Sequence, residues 1–121
     1  MEDSTSPASN SSVSVSDGRW DTLFDVLRDR RRRFVVHRLH ASEHPLSIDE
    51  LATQLSAWER RQPVDEVETR PIERAEVTLR HVHLPKLADA ELVQYDRHSD
   101  EVSMSEQVAP LDALLAVVTD E

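Results

Sequence analysis

Cysteine is absent from the 121-residue sequence, and glycine, lysine and aromatic residues are scarce. The absence of cysteine excludes disulfide bonds and thiolate metal sites. A single glycine, Gly18, excludes the glycine-rich loops that cradle nucleotide phosphates. Aromatic residues make up only 4% of the chain, so the core has to be built from leucine, valine, isoleucine and alanine.

Long apolar runs are also missing. No stretch approaches the roughly 20 apolar residues that a membrane-spanning helix needs. The first residues do not show the basic-then-apolar order of a signal peptide. We therefore expect a soluble, cytoplasmic protein without a membrane partner, and the length predicts one domain with tails.

The net charge is −10, and only one of the 14 basic residues, Lys86, is a lysine. A negative charge of this size by itself disfavours nucleic acid. Acidity together with arginine in place of lysine also suits a salt-rich cytoplasm, where an acidic surface keeps a protein hydrated. We favour this second interpretation. The charge is also unevenly distributed, because two segments, residues 19–45 and 70–86, are locally positive.

The first positive segment follows a serine-rich stretch, residues 1–18, which we predict to be a disordered acidic tail. Helical spacing then begins near Trp20 and continues to Leu27. The run Arg28–Arg33 comes next, and helical spacing resumes at Phe34. The pattern fits one long helix or two helices with a break near Asp29, and we favour the break.

The arginine run, Arg30, Arg31, Arg32 and Arg33, has three interpretations. It can be a solvated helix face whose arginines pair with the acids of the domain itself. It can be a phosphate-contacting patch, since guanidinium groups bind phosphate bidentately. It can also be a subunit contact. Four consecutive residues point all round a helix, so one surface does not collect all four.

A capping box opens the next helix. The Ser47 hydroxyl can accept from the Glu50 amide, and the Glu50 carboxylate can reach back to the Ser47 amide. The predicted helix runs from Ile48 to Trp58, and its apolar face comprises Ile48, Leu51, Ala52, Leu55 and Trp58. A polar connection, residues 59–69, follows and is longer than the three or four residues of a tight helix-turn-helix.

The second positive segment predicts a helix that starts near Thr69, with Pro71 in its first turn. Its inner face is predicted to comprise Ile72, Ala75, Leu79 and Val82, and its outer face Arg70, Arg74, Thr78 and His81. The outer face is polar and mostly cationic, as a groove-entering helix requires, although an ordinary exposed face would look the same. Pro85 should kink or tighten the last turn.

Two further elements are predicted beyond this helix. Val93, Tyr95, Val102 and Met104 alternate with polar residues and indicate a two-stranded hairpin with Arg97 near its tip. A short C-terminal helix carries an apolar stripe, Leu111, Leu114, Leu115 and Val118. This stripe either folds back on the first helix or pairs with a second copy of the chain, and we favour dimerisation.

The sequence contains no convincing catalytic or metal-binding pattern. Of the six histidines, His37 and His40 could share a helix face, but without cysteine or a placed carboxylate they make a poor zinc site. His83 is better explained as a hydrogen-bonded core histidine. No nucleophile elbow is present, so we expect no enzyme, no cofactor, no metal and no small-molecule ligand.

Three segments, taken in order, resemble known proteins. LRDRRRRFVV at residues 27–36 and PLSIDELA at 45–52 look like helices of ArsR-type winged-helix regulators, and HLPKLADAELV at 83–93 looks like their exit from the reading helix. The combination is similar to a haloarchaeal winged-helix family of unknown function over about residues 20–105. In this pattern Glu91 stands where glycine is usual, and a left-handed conformation there would cost about 1 kcal/mol.

The resemblance implies a mainly α fold with a small β-wing: three to four core helices, a two-stranded antiparallel hairpin and a C-terminal helix. The tail would span residues 1–18, the winged-helix domain 19–106 and the possible dimerisation helix 107–121.

The resemblance also implies a homodimeric DNA-binding transcription regulator of a halophilic archaeon, which reads double-stranded DNA with the helix at about residues 70–88. Arg70, Arg74, Thr78 and His81 would face the DNA, with Arg30–Arg33 and Arg97 near its backbone. The alternative is a winged-helix interaction module that dimerises or docks on a protein and does not bind DNA.

Overall fold

The structure is a computed structural model that describes residues 17–105. Its helices are α1 (Asp17–Val26), α2 (Arg30–Ala41), α3 (Ile48–Arg60), a 3-10 turn (Val64–Glu66), α4 (Thr69–Thr78), a π-turn (Leu79–His83) and α5 (Leu84–Asp89). Its strands are β1 (Leu46–Ser47), β2 (Val93–Asp96) and β3 (Glu101–Met104). Within these residues no helix has the length and apolar character to cross a membrane.

The architecture is mainly helical with a small antiparallel sheet in the order β1-β3-β2, and it is compatible with a winged-helix-like fold, as predicted. The expected hairpin is present, with Val93 opposite Met104. A third strand that the sequence analysis did not include joins it through the pair Leu46 and Val102. Two residues are too few to show the alternation by which a strand is recognised.

The break between α1 and α2 lies at Asp29, where we favoured it. The Asp29 carboxylate accepts hydrogen bonds from the amides of Arg31 (2.8 Å) and Arg32 (3.4 Å) and so caps α2. Partial burial acts to raise the pKa of Asp29, but these amides and nearby positive charge outweigh it, and the pKa is lowered. Helix α1 begins at Asp17, so Asp17 and Gly18, which we assigned to the tail, are helical.

The predicted capping box at the start of α3 is confirmed. The Glu50 amide donates to the Ser47 hydroxyl at 3.0 Å, and the Ser47 amide donates to the Glu50 carboxylate at 2.9 Å. Ile48, the first residue of the helix, is fully buried, and its amide donates to the carbonyl of Asp100 at 3.0 Å. The cap therefore fixes α3 at the same point where the helix meets the hairpin.

The core is aliphatic, as the composition predicts. Its largest fully buried side chains are Leu27, Val35, Val36, Ile48, Leu51, Leu55, Leu79, Leu84, Leu87, Leu92 and Val102. Trp58, which we placed on the inner face of α3, is instead 38% exposed. It lies in the last turn of α3, where its ring stacks on Phe34 with centroids 4.7 Å apart.

A π-turn at Leu79–His83 corrects the predicted inner face of the long helix. The Leu84 amide donates to the carbonyl of Leu79, five residues back, so the turn holds one residue more than an α-turn. Pro85 follows and has no amide to donate. The extra residue rotates Val82 outward, where it is 42% exposed, and His83 occupies the core position in its place.

Because glycine is scarce, left-handed positions are occupied by larger residues: Arg61, Glu91 and Asp100. Glu91 (φ 64°) ends α5. Its amide donates to Ala88 at 2.9 Å and the Leu92 amide to Leu87 at 3.0 Å, which is the Schellman pattern of helix termination. This geometry confirms the left-handed conformation considered for Glu91.

The predicted C-terminal helix, residues 107–121, with its stripe Leu111, Leu114, Leu115 and Val118, lies outside the described residues. The same holds for residues 1–16 of the predicted tail.

We predict that Glu91→Gly is more stable than Glu91→Ala by about 1 kcal/mol, because only glycine adopts the left-handed conformation without a clash of Cβ. Both variants remove the carboxylate and its contacts, so their difference isolates the backbone contribution. Urea denaturation measures the free energy of unfolding of each. Equal stability of the two variants would contradict the prediction.

Candidate nucleic-acid interface

The outer face of α4 carries most of the predicted reading residues. Arg70, Arg74 and His81 are exposed, and their side chains make no hydrogen bond or ion pair within residues 17–105. Val77, which the sequence analysis did not select, lies among them and is 58% exposed. Three donor-bearing side chains are thus available to a partner on one helix.

Thr78, the fourth predicted reading residue, takes a different position. It is half-buried, and its hydroxyl donates to the backbone carbonyl of Arg74 at 3.0 Å. It lines a cleft beside Leu55 and Ser56 of α3. Arg70 and Arg74 are thus exposed on α4, His81 is exposed in the π-turn that follows α4, and Thr78 lies half-buried beside the cleft.

Arg32 and Arg33 stabilise the carboxyl end of α1. The Arg32 side chain donates to the carbonyl of Val26 at 2.6 Å, and the Arg33 side chain donates to the carbonyls of Leu27 and Arg28, each at 2.9 Å. The last carbonyls of a helix have no partner inside the helix and carry partial negative charge. These two half-buried side chains therefore stabilise the turn between α1 and α2 by binding its backbone carbonyls.

Arg30 and Arg31 contact the end of α3. The Arg30 guanidinium lies over the Trp58 ring, 4.8 Å from its centroid. The Arg31 Nε forms an ion pair with Glu59. All four arginines of the run thus have intramolecular contacts, and the ion pair of Arg31 with Glu59 is of the kind that the first of the three interpretations requires.

Arg80 joins the long helix to the hairpin, and the sequence analysis did not single it out. Its guanidinium binds both carboxylate oxygens of Asp100, in a bidentate pair, and donates to the Tyr95 hydroxyl at 3.0 Å. Asp100 is 20 residues away along the chain. No local spacing connects the two residues, because the contact exists only once the hairpin packs against the helix.

The contact between Arg80 and Asp100 shifts the pKa values of the groups that form it. The hydrogen bond from Arg80 lowers the pKa of Asp100, and the same bond raises the pKa of Arg80 above its already high ordinary value. Burial raises the pKa of Tyr95, and its hydrogen bond to Asp100 raises it further. Arg80 and Asp100 therefore form a charged pair at neutral pH, and Arg80 does not belong to the available outer face.

The flank of α4 beside the start of α3 is acidic. Burial raises the pKa of Glu76, and a hydrogen bond with Asp49 together with the charges of Asp49 and Asp100 raises it further. At the hairpin tip, the Asp96 carboxylate accepts from the amides of His98 and Ser99. At low salt, the carboxylates of Asp49 and Glu76 would repel a phosphate backbone placed against the flank of α4, and that of Asp96 would repel one at the hairpin tip.

Arg97, the predicted backbone contact of the wing, is exposed at the hairpin tip. Its guanidinium lies 5.8 Å from the centroid of the Tyr95 ring. This distance is within the range of a cation–π contact and leaves the polar edge of the guanidinium accessible.

His83 is the buried histidine that the sequence analysis expected. Its Nδ1 lies 3.4 Å from a terminal nitrogen of Arg32, and its Nε2 has no hydrogen-bond partner within residues 17–105. Burial lowers the pKa of His83. Among the described residues no group of three or more histidine, aspartate or glutamate side chains is placed to hold a metal ion.

Comparison with known proteins gives one match. A family profile described as a domain of unknown function, DUF7344, matches residues 24–103, roughly two thirds of the chain. The matched range includes all of α2, α3 and α4 and nearly all of the hairpin. No curated protein and no solved structure matches the sequence.

We predict that Asp100→Asn lowers the free energy of unfolding by about 1 kcal/mol at pH 7, because it removes the charge that pairs with Arg80. Asparagine tolerates the left-handed backbone of this position, so the fold should be kept. The folded pKa of Asp100 is depressed, so its contribution is present above about pH 4 and is lost as the pH falls through the folded pKa.

Urea denaturation between pH 7 and pH 2 should therefore show the native protein and the variant converging in stability at the acid end. Asp89→Asn is the matched control, because the Asp89 side chain makes no hydrogen bond or ion pair within residues 17–105. A constant stability difference across this pH range would contradict the assignment.

Proposed function

The chain belongs to the DUF7344 family of domains of unknown function, and we propose that it is a transcription regulator that reads duplex DNA with the outer face of α4. In this proposal Arg70, Arg74 and His81 contact base edges in the major groove. Arg97 contacts the phosphate backbone. The protein acts as a homodimer in the cytoplasm of a halophilic archaeon.

The observation that carries the proposal is the exposure of Arg70, Arg74 and His81, whose side chains make no hydrogen bond or ion pair within residues 17–105. The arginines of α2, by contrast, are held by Val26, Leu27 and Glu59. A helix that enters a groove needs donors that the protein itself does not consume. The buried Leu79 and the pair of Arg80 and Asp100 hold α4 in a fixed orientation.

Salt-rich surroundings are consistent with this arrangement. The affinity that comes from counterion release falls steeply as the salt concentration rises, so phosphate contacts alone give weak binding there. Bidentate hydrogen bonds from arginine to guanine depend less on long-range charge and give sequence specificity. High salt also screens the repulsion between DNA and the acidic flank formed by Asp49 and Glu76.

We expect a selection from random duplex DNA in multimolar KCl to enrich a palindromic motif with the native protein and to fail with Arg74→Glu. The substitution replaces a cationic hydrogen-bond donor on the outer face by a carboxylate, which the phosphates of DNA repel. Arg28→Glu is the matched control, because it makes the same charge change in the connection between α1 and α2. Within residues 17–105 the Arg28 side chain makes only an exposed ion pair with Asp25, at 3.8 Å.

Equal enrichment by the native protein and Arg74→Glu would show that α4 is not the reading helix. Loss of enrichment in both Arg74→Glu and Arg28→Glu would indicate a general charge effect and would also count against the assignment. Circular dichroism of each variant in the same salt shows whether the fold is kept.

A second candidate function is a protein interaction module that uses the same scaffold. The observation that favours it is the large exposed fraction of Val77 (58%) at the centre of the outer face, next to the exposed Glu73. An apolar side chain between charged ones is typical of a small protein contact. The acidic flank at Asp49 and Glu76 also fits a protein partner better than a phosphate backbone.

For either function, we expect residues 110–121 to mediate dimerisation through their apolar stripe. Deletion of these residues should convert a dimer into a monomer, as measured by light scattering in the same salt. A mixed sample of full-length and truncated chains should then form no heterodimer. If the full-length protein is already a monomer, or if the truncated protein remains a dimer, the assignment of the stripe is wrong.

A further inference from the structure

A basic cleft lies between α2, α3 and α4, on the flank of the outer face that carries Thr78. Its volume is about 210 Å³. Its polar lining comes from all three helices and comprises Arg31, Ser56, Glu59, Arg60, Arg74 and Thr78. Leu55, Pro71 and Ala75 form its apolar floor. None of these residues except Arg31, Arg74 and Thr78 belongs to the predicted reading set.

The cleft is positive in a protein that is strongly negative. Three guanidinium groups and one carboxylate, that of Glu59, line it, whereas the whole chain has a net charge of −10. The carboxylate is already paired with Nε of Arg31. Arg60 and Arg74 make no side-chain hydrogen bond or ion pair within residues 17–105. Among the described residues, two positive charges therefore have no counter-ion at this point.

The donors around the cleft suit a compact oxyanion. The ion pair with Glu59 uses Nε of Arg31 and leaves its two terminal nitrogens without a partner among the described residues. Ser56 is buried, and its hydroxyl donates to the carbonyl of Pro71 at 3.3 Å, so the guanidinium groups are the donors that remain for an anion. Guanidinium groups that converge from separate helices can surround a tetrahedral anion, which a single helix cannot do.

We propose that this cleft binds a small phosphate-class oxyanion: inorganic phosphate or a compact phosphate ester. The volume is smaller than the roughly 300 Å³ at which sites for drug-sized ligands begin, which suits a small ligand. Arg60 and Arg74 supply positive charges that have no ion-pair partner within residues 17–105, and Arg31 supplies terminal N–H donors. The apolar floor of Leu55 and Ala75 accommodates a short carbon chain.

The site has a regulatory consequence that rests on the proposed function. Arg74 belongs both to the cleft and to the outer face of α4. An anion that engages its guanidinium competes with a base edge for the same donors. Phosphate in the cleft should therefore weaken the binding of DNA, because one side chain cannot satisfy both partners.

Titration of the full-length protein with inorganic phosphate, against chloride at matched ionic strength, tests the site without DNA. We expect one saturable site in isothermal calorimetry, with Arg60→Gln and Arg74→Gln each weakening the affinity about tenfold through the loss of a charge-assisted hydrogen bond. Arg97→Gln is the matched control, because it removes the same charge from the hairpin tip, and it should bind phosphate like the native protein. Absence of saturable binding, or equal weakening by all three variants, would overturn the proposal.

A second experiment distinguishes whether the cleft binds free phosphate or a phosphate of the DNA backbone. Arg60 lies outside the proposed reading set, so Arg60→Gln should keep the affinity for DNA and require about tenfold more inorganic phosphate to release it. If Arg60→Gln instead weakens DNA binding as much as phosphate binding, the cleft holds a backbone phosphate and the free-anion assignment is wrong. If phosphate binds as expected and no DNA is bound, the site stands and the proposed function fails.

Discussion

The contact between Arg80 and Asp100 determines how the parts of this small domain are held together. The Asp100 carboxylate binds the long helix through Arg80, while its backbone carbonyl accepts the amide of Ile48 at the start of α3. Its amide in turn donates to the carbonyl of Asp96 at 2.8 Å and closes the hairpin. One residue with a left-handed backbone thus links two helices and the sheet.

This link matters because the strands of the sheet are short. Strand β1 has two residues, and the hairpin strands have four each. A hairpin of this size is marginal by itself and needs a surface to pack on. The buried Val93 and Val102 supply apolar contact with the core, and the bidentate pair gives that contact a defined orientation. The outer face of α4 therefore has a fixed position relative to the hairpin tip.

The arginines of the chain divide into two groups by what they contact. Arg32 and Arg33 satisfy backbone carbonyls at the end of α1, and Arg80 is held by Asp100. Arg70 and Arg74 have no such partner within residues 17–105. In a protein with a large excess of acid, donors that stay available on one helix are the feature that both proposals depend on. The two proposals differ in the partner that these donors bind: base edges of DNA in one, a small oxyanion in the other.

Several features of the fold follow from the local sequence. The capping box of Ser47 and Glu50, the break at Asp29 and the alternation of Val93 and Tyr95 with polar residues were predicted, and the structure confirms them. Each depends on hydrogen bonds or side-chain periods that span only a few residues. Within the candidate site, the outward positions of Arg70 and Arg74 were predictable for the same reason, because they follow from regular helical spacing.

The sequence by itself therefore determined where α2, α3 and α4 begin, the aliphatic core and the exposure of Arg70 and Arg74, since these depend on short-range periodicity and capping. Tertiary structure alone decided that the π-turn turns Val82 outward and that Trp58 stacks on Phe34 at the protein surface. It also decided that Arg80 is held by a carboxylate 20 residues away. These outcomes depend on which distant segments pack together, and local spacing carries no information about that choice.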